Sequence, residues 1–359
     1  MKLLFANHQP TRFTVETPAR EPLGGTESCM AWLTRQLAAN GHDITLMTHL
    51  PAGTPEWLLG VRHLPVERMA DAALTGFDAV ITVGSLELAA PLRSAIPNAR
   101  HIAWLHALPD QPGMKLLPAA APFLDHVVFV SEWQRRAVRH PGPSQVIGNG
   151  IAPAFENLFG SAEELAAAKQ NRAAYTTTPF RGLHVLAQAF GEARLATRLD
   201  VWSGMRLYQA SDTPFEAVYA AAAATPRLAL HGPVSQPELA QALKPVSFLF
   251  YPCVYFETYC ISALEAIAAG LKVVATDIGA LSETTLGYAA LMPAIGVPPA
   301  ELVRGFARAM EETEAAFLAD SHGFAQERYA QSRDVVRRGN WRVRAREWEA
   351  FLAAAIRQT

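Results

Sequence analysis

Two carboxylates stand eight positions apart in "YFETYCISALEAIAAG" (residues 255–270), at Glu257 and Glu265. Residues 260–269 carry helical periodicity. Ile261, Leu264, Ile267 and Ala268 make an apolar stripe, and Gly270 is placed to end it. A carboxylate among such residues is costly to desolvate unless hydrogen-bond donors meet it. On one regular helix the pair would lie roughly 80° apart and about 12 Å along the axis, and would not meet. With Glu257 on the loop before the helix, both can face a ligand lying over the helix N-terminus. The free N–H groups and partial positive charge of that terminus suit phosphate. Glu265, deeper in the helix, could accept the two hydroxyl hydrogen bonds of a ribose diol. The competing reading is a glutamate on the polar edge of an ordinary helix, and spacing leaves both open.

Other residues could do chemistry at the ends of apolar runs. Gly24 and Gly25, in "PLGGTES", follow the first run and precede a helical stretch, so backbone there can approach an anion closely or simply turn. No complete G-x-G-x-x-G occurs; "GNGIAP" starts one and fails, which weighs against a dinucleotide-dependent dehydrogenase. His106 closes "RHIAWLH" and reads as a loop residue, a core edge or a ligand group. Arg181, in "TTTPFRGLHVL", precedes a helix and is either an exposed arginine or a cation for a diphosphate leaving group. Arg333, Arg337, Arg338, Arg342, Arg344 and Arg346 read first as a solvated face balanced by Glu347 and Glu349, with peripheral membrane contact as the minority reading. H-E-x-x-H, D-x-D and G-x-S-x-G are absent, so neither metal hydrolysis nor serine hydrolysis has a foothold and no metal ligands are expected.

The elements that must position these residues alternate. Apolar runs at "KLLFANH", "HDITLMTH", "DAVITVG", "RHIAWLH", "DHVVFVS" and "SQVIGNG" are separated by helical stretches such as "TESCMAWLTRQLAAN". Ser131 and Gln134 match a capping box. After Gly150 the alternation restarts with "RLDVWSG", "RLALHG", "SFLFYPC" and "LKVVATD", between helices near 182–193, 213–224, 235–243 and 260–269. Such a pattern predicts two α/β domains with doubly wound parallel sheets, 1–150 and 151–339, and a hinge near 149–154. "NWRVRAREWEAFLAAAI" predicts a final helix over 340–359, with Trp341, Ala345, Trp348 and Leu352 on one stripe. Open parallel sheets place ligands at the carboxyl ends of their strands, which puts the expected site in a cleft between the domains.

A chain of 359 residues, half of them hydrophobic, is long enough for two cores. Its net charge of −2 gives no pull toward nucleic acid. Cys29, Cys253 and Cys260 show no paired spacing, and "MKLLFANHQP" loses its apolar character too early for a signal peptide, so a reducing, cytoplasmic setting is expected.

Together these pieces resemble a retaining glycosyltransferase of family four, with the GT-B fold. The resemblance runs from "GGTES…LAANGHDITLMT" through "VSEWQ" and "VIGNGI" to "FETYCISALEAIAAGLKVVATDIGALSET". The last stretch carries the family's two glutamates at Glu257 and Glu265, followed in order by Gly270, Gly279 and Glu283. The resemblance implies that Glu265 holds the ribose of a nucleotide-sugar and that Glu257 sits by the transferred sugar. It also implies that the N–H groups of Thr258, Tyr259 and Cys260 lie near the diphosphate or sugar hydroxyls. His106 matches the family's sugar-side histidine, Gly24 and Gly25 its diphosphate loop, and Arg181 a basic residue that is usually lysine. It further implies that the final helix packs back on the first domain. The family's second basic residue falls at Tyr175 or Thr176, a departure, as are the Tyr259 and Cys260 of "ETYC".

The implied activity is metal-independent transfer of a hexose-type sugar from a UDP-, GDP- or ADP-sugar to a saccharide, lipid-linked or other small acceptor, as in polysaccharide biosynthesis. Retention without a clear nucleophile suggests a front-face substitution. A nucleotide-sugar epimerase, a phosphorylase or a catalytically silent sugar-nucleotide binder are the alternatives.

Overall fold

The structure, a computed structural model, describes residues 1–70 and 74–357; residues 358 and 359, the end of the helix expected over 340–359, lie outside the described residues. The chain forms two compact units. The first takes Met1–Ala19, Leu23–Gly150 and the segment from Trp341 onward; the second takes Ile151–Asn340 and the short piece Arg20–Pro22.

In the first unit the strands are β1 (Lys2–Ala6), β2 (Asp43–Thr48), β3 (Trp57–Leu58), β4 (Val61–Pro65), β5 (Ala79–Val83), β6 (Arg100–Leu105), β7 (His126–Phe129) and β8 (Ser144–Val146). Their order across the sheet is β3-β4-β2-β1-β5-β6-β7-β8, and only the β3–β4 pair is antiparallel. Every residue of β5 is buried, as expected of a central parallel strand covered on both faces. The helix Gly25–Ala39 covers one face with Met30, Leu33 and Leu37 and packs against the helix Trp341–Arg357. Trp348 of that last helix is fully buried, edge-on to Phe5 (6.4 Å) and Trp104 (5.1 Å).

The second unit adds β9 (Gln170–Tyr175), β10 (Arg198–Val201), β11 (Leu228–Leu230), β12 (Val246–Tyr251), β13 (Lys272–Asp277) and β14 (Ala290–Pro293). They form an all-parallel sheet in the order β11-β10-β9-β12-β13-β14. The helices Leu183–Glu192, Ile261–Ala268, Pro299–Ala319 and Ser321–Gly339 belong to this unit. Lys169, just before β9, is buried and has no carboxylate partner among the described residues. Its Nζ donates to the carbonyls of Val246 (2.6 Å), Ala269 (2.7 Å) and Leu243 (3.4 Å), tying the start of β12 to two helix ends.

Each sheet reverses its winding once, between β1 and β5 in the first and between β9 and β12 in the second. Such a switch point is where an open α/β sheet leaves a crevice at its carboxyl edge. No described helix is long and apolar enough to cross a membrane.

One local expectation changes. The Ser131 hydroxyl caps its helix by accepting from Gln134 N–H (3.0 Å), but the Gln134 side chain accepts from Val130 N–H (2.9 Å) and donates to the Ala107 carbonyl (3.0 Å). The reciprocal capping box sits instead at Ser235 and Glu238, where each side chain meets the other's backbone. The arginine cluster is divided between two helices and tied locally: Arg337 and Arg338 to Asp334, Arg333 to Asn157, and Arg344 to Glu347 and the Asn149 carbonyl.

Candidate active site

The switch point of the second sheet gathers the charged candidates. Arg181 follows β9 and Glu257 follows β12, the two strands that flank the reversal. The chain leaves β12 through Pro252 and turns at 253–260 before the helix Ile261–Ala268 begins, so Glu257 lies on the loop and not on the helix. Two glycines let this loop lie flat on its neighbours. Gly182 has φ +124° and Gly279 has φ +65°; a Cβ at the first would overlap the Pro252 carbonyl, and one at the second would overlap the Glu257 backbone. Ala280 N–H then donates to the Glu257 carbonyl at 2.7 Å, pinning the loop from the β13 side.

The Glu257 side chain is 3% exposed. The Arg181 guanidinium and the Tyr251 hydroxyl both donate to its Oε1, and the Cys253 thiol stands 3.9 Å from the same atom. Among the described residues no donor reaches Oε2. Arg181 spends Nη1 on this contact and lies beside the rings of Tyr255 (5.0 Å) and Phe180 (5.6 Å). Its Nε–H is buried and meets no acceptor among the described residues. Burial works against the guanidinium charge, but the Glu257 carboxylate and the nearby Tyr251 and Tyr208 outweigh it and hold the group well above its ordinary pKa.

Glu265 occupies a second position in the same unit. It lies in the helix Ile261–Ala268, 5% exposed, and its Oε1 accepts from Ala152 N–H and Gln236 Nε2, both at 3.0 Å. Its Oε2 takes no donor among the described residues. Burial raises its pKa from 4.5 to about 7, against the two hydrogen bonds that pull it down. The structure therefore brings Glu257 and Arg181 into direct contact and gives Glu265 its own donors.

Thr258 and Tyr259 are half-buried residues of the loop, and Cys260 is the buried N-cap of the helix. Cys260 N–H reaches the Thr284 hydroxyl at 3.4 Å. At Tyr175, one of the two positions where a second basic residue was sought, the phenol is buried and donates to the Thr178 carbonyl at 2.7 Å. Thr176 contributes its carbonyl to the Ser262 hydroxyl.

In the first unit, Gly24 is the buried N-cap of the helix Gly25–Ala39 and Gly25 its exposed first residue, with no side-chain cap. His106 directly follows β6 and leans on Trp104, ring centroids 4.6 Å apart. Although half-buried by area, it is packed closely enough that burial lowers its pKa from 6.5 to about 3. The imidazole is neutral at ordinary pH.

Sequence reading passed over Tyr251, Cys253, Gln236 and Ala152. Gln236 and Ala152 meet Glu265 from remote parts of the chain and carry no local signal. Tyr251 reads only as the end of an apolar strand, and Cys253 only as one of three cysteines without paired spacing. Among the described residues no group of three or more His, Cys, Asp or Glu is arranged to hold a metal ion.

Residues 173–314, which span both glutamates and Arg181, match the family described as Glycosyl transferases group 1. None of the curated proteins matches the chain. Among solved structures, a sucrose-phosphate synthase from Thermosynechococcus elongatus superposes with a TM-score of 0.77 at 18% identity, covering 100% of both chains. A glycosyltransferase from Rickettsia africae ESF-5 gives 0.74 at 13% identity, over 100% of this chain and 99% of that one. Anabaena HepE, solved in complex with UDP-glucose, gives 0.71 at 14% identity, over 99% and 100%. At these identities the likeness is one of fold. The two doubly wound domains have the GT-B fold, and residues 173–314 of the second are similar to the glycosyl transferases group 1.

Proposed function

We propose that the chain is a retaining glycosyltransferase of the family-four type, moving a hexose-type sugar from a nucleotide-diphosphate donor to an acceptor hydroxyl. One observation carries this reading: at the switch point, a permanent cation whose buried Nε–H meets no acceptor among the described residues lies against a carboxylate whose described donors, Arg181 and Tyr251, both fall on Oε1. A glycosyl phosphate complements that pair, its phosphate oxygens accepting from Arg181 and its sugar hydroxyls donating to Glu257 Oε2. Glu265, with Oε2 open, suits a ribose diol. The neutral imidazole of His106 suits a sugar hydroxyl, and Gly24 and Gly25 suit backbone contact with phosphate. The resemblance to HepE, whose structure holds UDP-glucose, makes a UDP-sugar the first donor to try.

In the proposed front-face step, the bond from the anomeric carbon to the phosphate oxygen breaks while the acceptor oxygen bonds to that carbon on the same face. The acceptor's proton passes to the departing phosphate oxygen. Arg181 stabilises charge on that oxygen, and Glu257 stabilises the oxocarbenium-like carbon through the sugar hydroxyls it holds. Charge on the leaving group is met by a guanidinium, so no metal is required.

Purified chain incubated with radiolabelled UDP-, GDP- and ADP-glucose should release nucleotide, and the product's anomeric proton should show the donor's configuration. Inversion would overturn retention, and activity that vanishes in chelator and returns with Mg²⁺ would overturn metal independence. A catalytically silent binder is the second reading. Two observations favour it: Tyr175 and Thr176 stand where a second cation is expected, and Arg181 is already paired with Glu257. Nucleotide binding without turnover of any of the three donors would select it.

A further inference from the structure

We infer that Tyr251 is a positioning residue for Glu257: its hydroxyl, with Arg181, saturates Oε1 and so fixes the carboxylate with Oε2 toward the sugar. The inference rests on the transferase reading and adds to it a residue outside the two-glutamate pattern. Tyr251 ends β12 and is 1% exposed, with its ring 6.0 Å from that of Tyr175 at the end of the neighbouring strand β9. Both rings are held by the paired strands at the reversal, so the hydroxyl is delivered from a buried strand and not from a loop. The oxygen that donates to Glu257 lies 3.2 Å from the Cys253 thiol, which in turn lies 3.0 Å from the Tyr255 carbonyl.

Burial first, then the neighbouring Cys253 and Glu257, push the phenol's pKa well above its ordinary value. Tyr251 therefore keeps its proton at any working pH and remains a donor. A carboxylate free to rotate would exchange Oε1 and Oε2; two donors on one oxygen remove that freedom, and the second oxygen is left in a defined place. Arg181 alone would not suffice under the proposed chemistry, because its charge is also drawn to the departing phosphate.

The test is Tyr251→Phe, which keeps the ring against Tyr175 and removes only the hydroxyl, measured beside Glu257→Gln and the double variant. Initial rates use whichever of UDP-, GDP- and ADP-glucose turns over fastest, with calorimetry for the matching free nucleotide. Tyr251→Phe should lower kcat about tenfold or more, with donor KM and nucleotide affinity within about twofold of the parent. In the Glu257→Gln background the same change should cost less than about twofold, since a positioning residue acts through its partner. Three results would overturn the inference: unchanged kcat in Tyr251→Phe while Glu257→Gln is crippled, independent and multiplicative losses in the double variant, or a loss in Tyr251→Phe that falls equally on nucleotide affinity. Of these, all leave the transferase reading standing. Full activity of Glu257→Gln, or no turnover of any donor, would remove both. If Tyr251→Phe melts more than about 5 °C below the parent, Cys253→Ala serves as a second variant. It removes the neighbour that fixes the hydroxyl's direction, and a kcat loss confined to the Glu257 background must again appear.

Discussion

At the carboxyl end of the second sheet, Glu257, Arg181 and Tyr251 hold one another, and Glu265 sits buried on its own pair of donors. At the carboxyl end of the first sheet, His106 is kept neutral by burial, and Gly24 and Gly25 present only backbone. Both ends belong to switch-point sheets of the same architecture, so the architecture does not dictate the charge. What differs is the loops. In the second unit, glycines at 182 and 279 let a loop lie against backbone, bringing a carboxylate under an arginine. The buried ion pair is thereby a feature of the second unit's loops, while the corresponding positions of the first offer a neutral imidazole and bare backbone.

The sharpest way to break this contrast is Arg181→Ala. It leaves a buried carboxylate with only neutral donors and removes the one fixed cation proposed for the leaving group. A loss of about 2–4 kcal/mol at the barrier is expected, with a lower melting temperature. Near-normal kcat at saturating donor would show that the charge resides elsewhere. Gly279→Ala tests whether the loop's flatness matters. Its positive φ and the overlap with Glu257 backbone should cost about 2–3 kcal/mol of stability, read by denaturant melts, and activity should fall in the fraction that remains folded.

Glu265 gives a smaller and pH-dependent effect. Its folded pKa of about 7 lies above the ordinary 4.5, so the native state binds the extra proton. Its contribution is complete below pH 4.5 and is lost as pH rises through 7. Between pH 5 and 8 the parent should lose about 2 kcal/mol relative to Glu265→Gln, seen as a widening gap in melting temperature that favours the variant. Free nucleotide should bind the parent more tightly over the same rise, because the carboxylate is the better acceptor for a diol. A constant gap would place Glu265 outside this titration. The smallest effect belongs to His106: with its pKa near 3, no histidine step from this residue should appear in kcat/KM between pH 5.5 and 8. A step at that range that vanishes in His106→Gln would show an imidazolium at work.

Much of the architecture was legible because apolar strands and capped helices alternate plainly, and the restart after Gly150 marks the second sheet. The central strand β9 was not. It opens with Gln170, Asn171 and Arg172 and continues with two alanines, a weak strand signature. Its polar half is satisfied by remote partners: Asn171 donates to Glu314 (2.7 Å) and Arg172 to the buried Asp200 (2.7 Å). The edge strands β3 and β14, and β4 beside β3, are short or carry proline, and pattern alone does not separate them from loops. At the site, Glu257, Glu265 and Arg181 stood out by spacing and resemblance, whereas Tyr251 was hidden because one hydroxyl on an apolar strand looks like core. Its partner is set by how a glycine at 279 lets the loop fold back, which only the assembled structure shows.

The chain leaves the first unit after Gly150 and returns to it at Trp341, so the second domain is topologically an insertion in the first. A ribosome synthesises the two in an order that does not match their assembly. Residues 151–340 carry everything the second sheet needs, while the first sheet still lacks the helix whose Trp348 lies against Phe5 and Trp104. A chain ending at Asn340 would thus hold every element of the inner domain beside an outer one with an open apolar face. Until the final helix docks, that face is the surface a chaperone would have to shield.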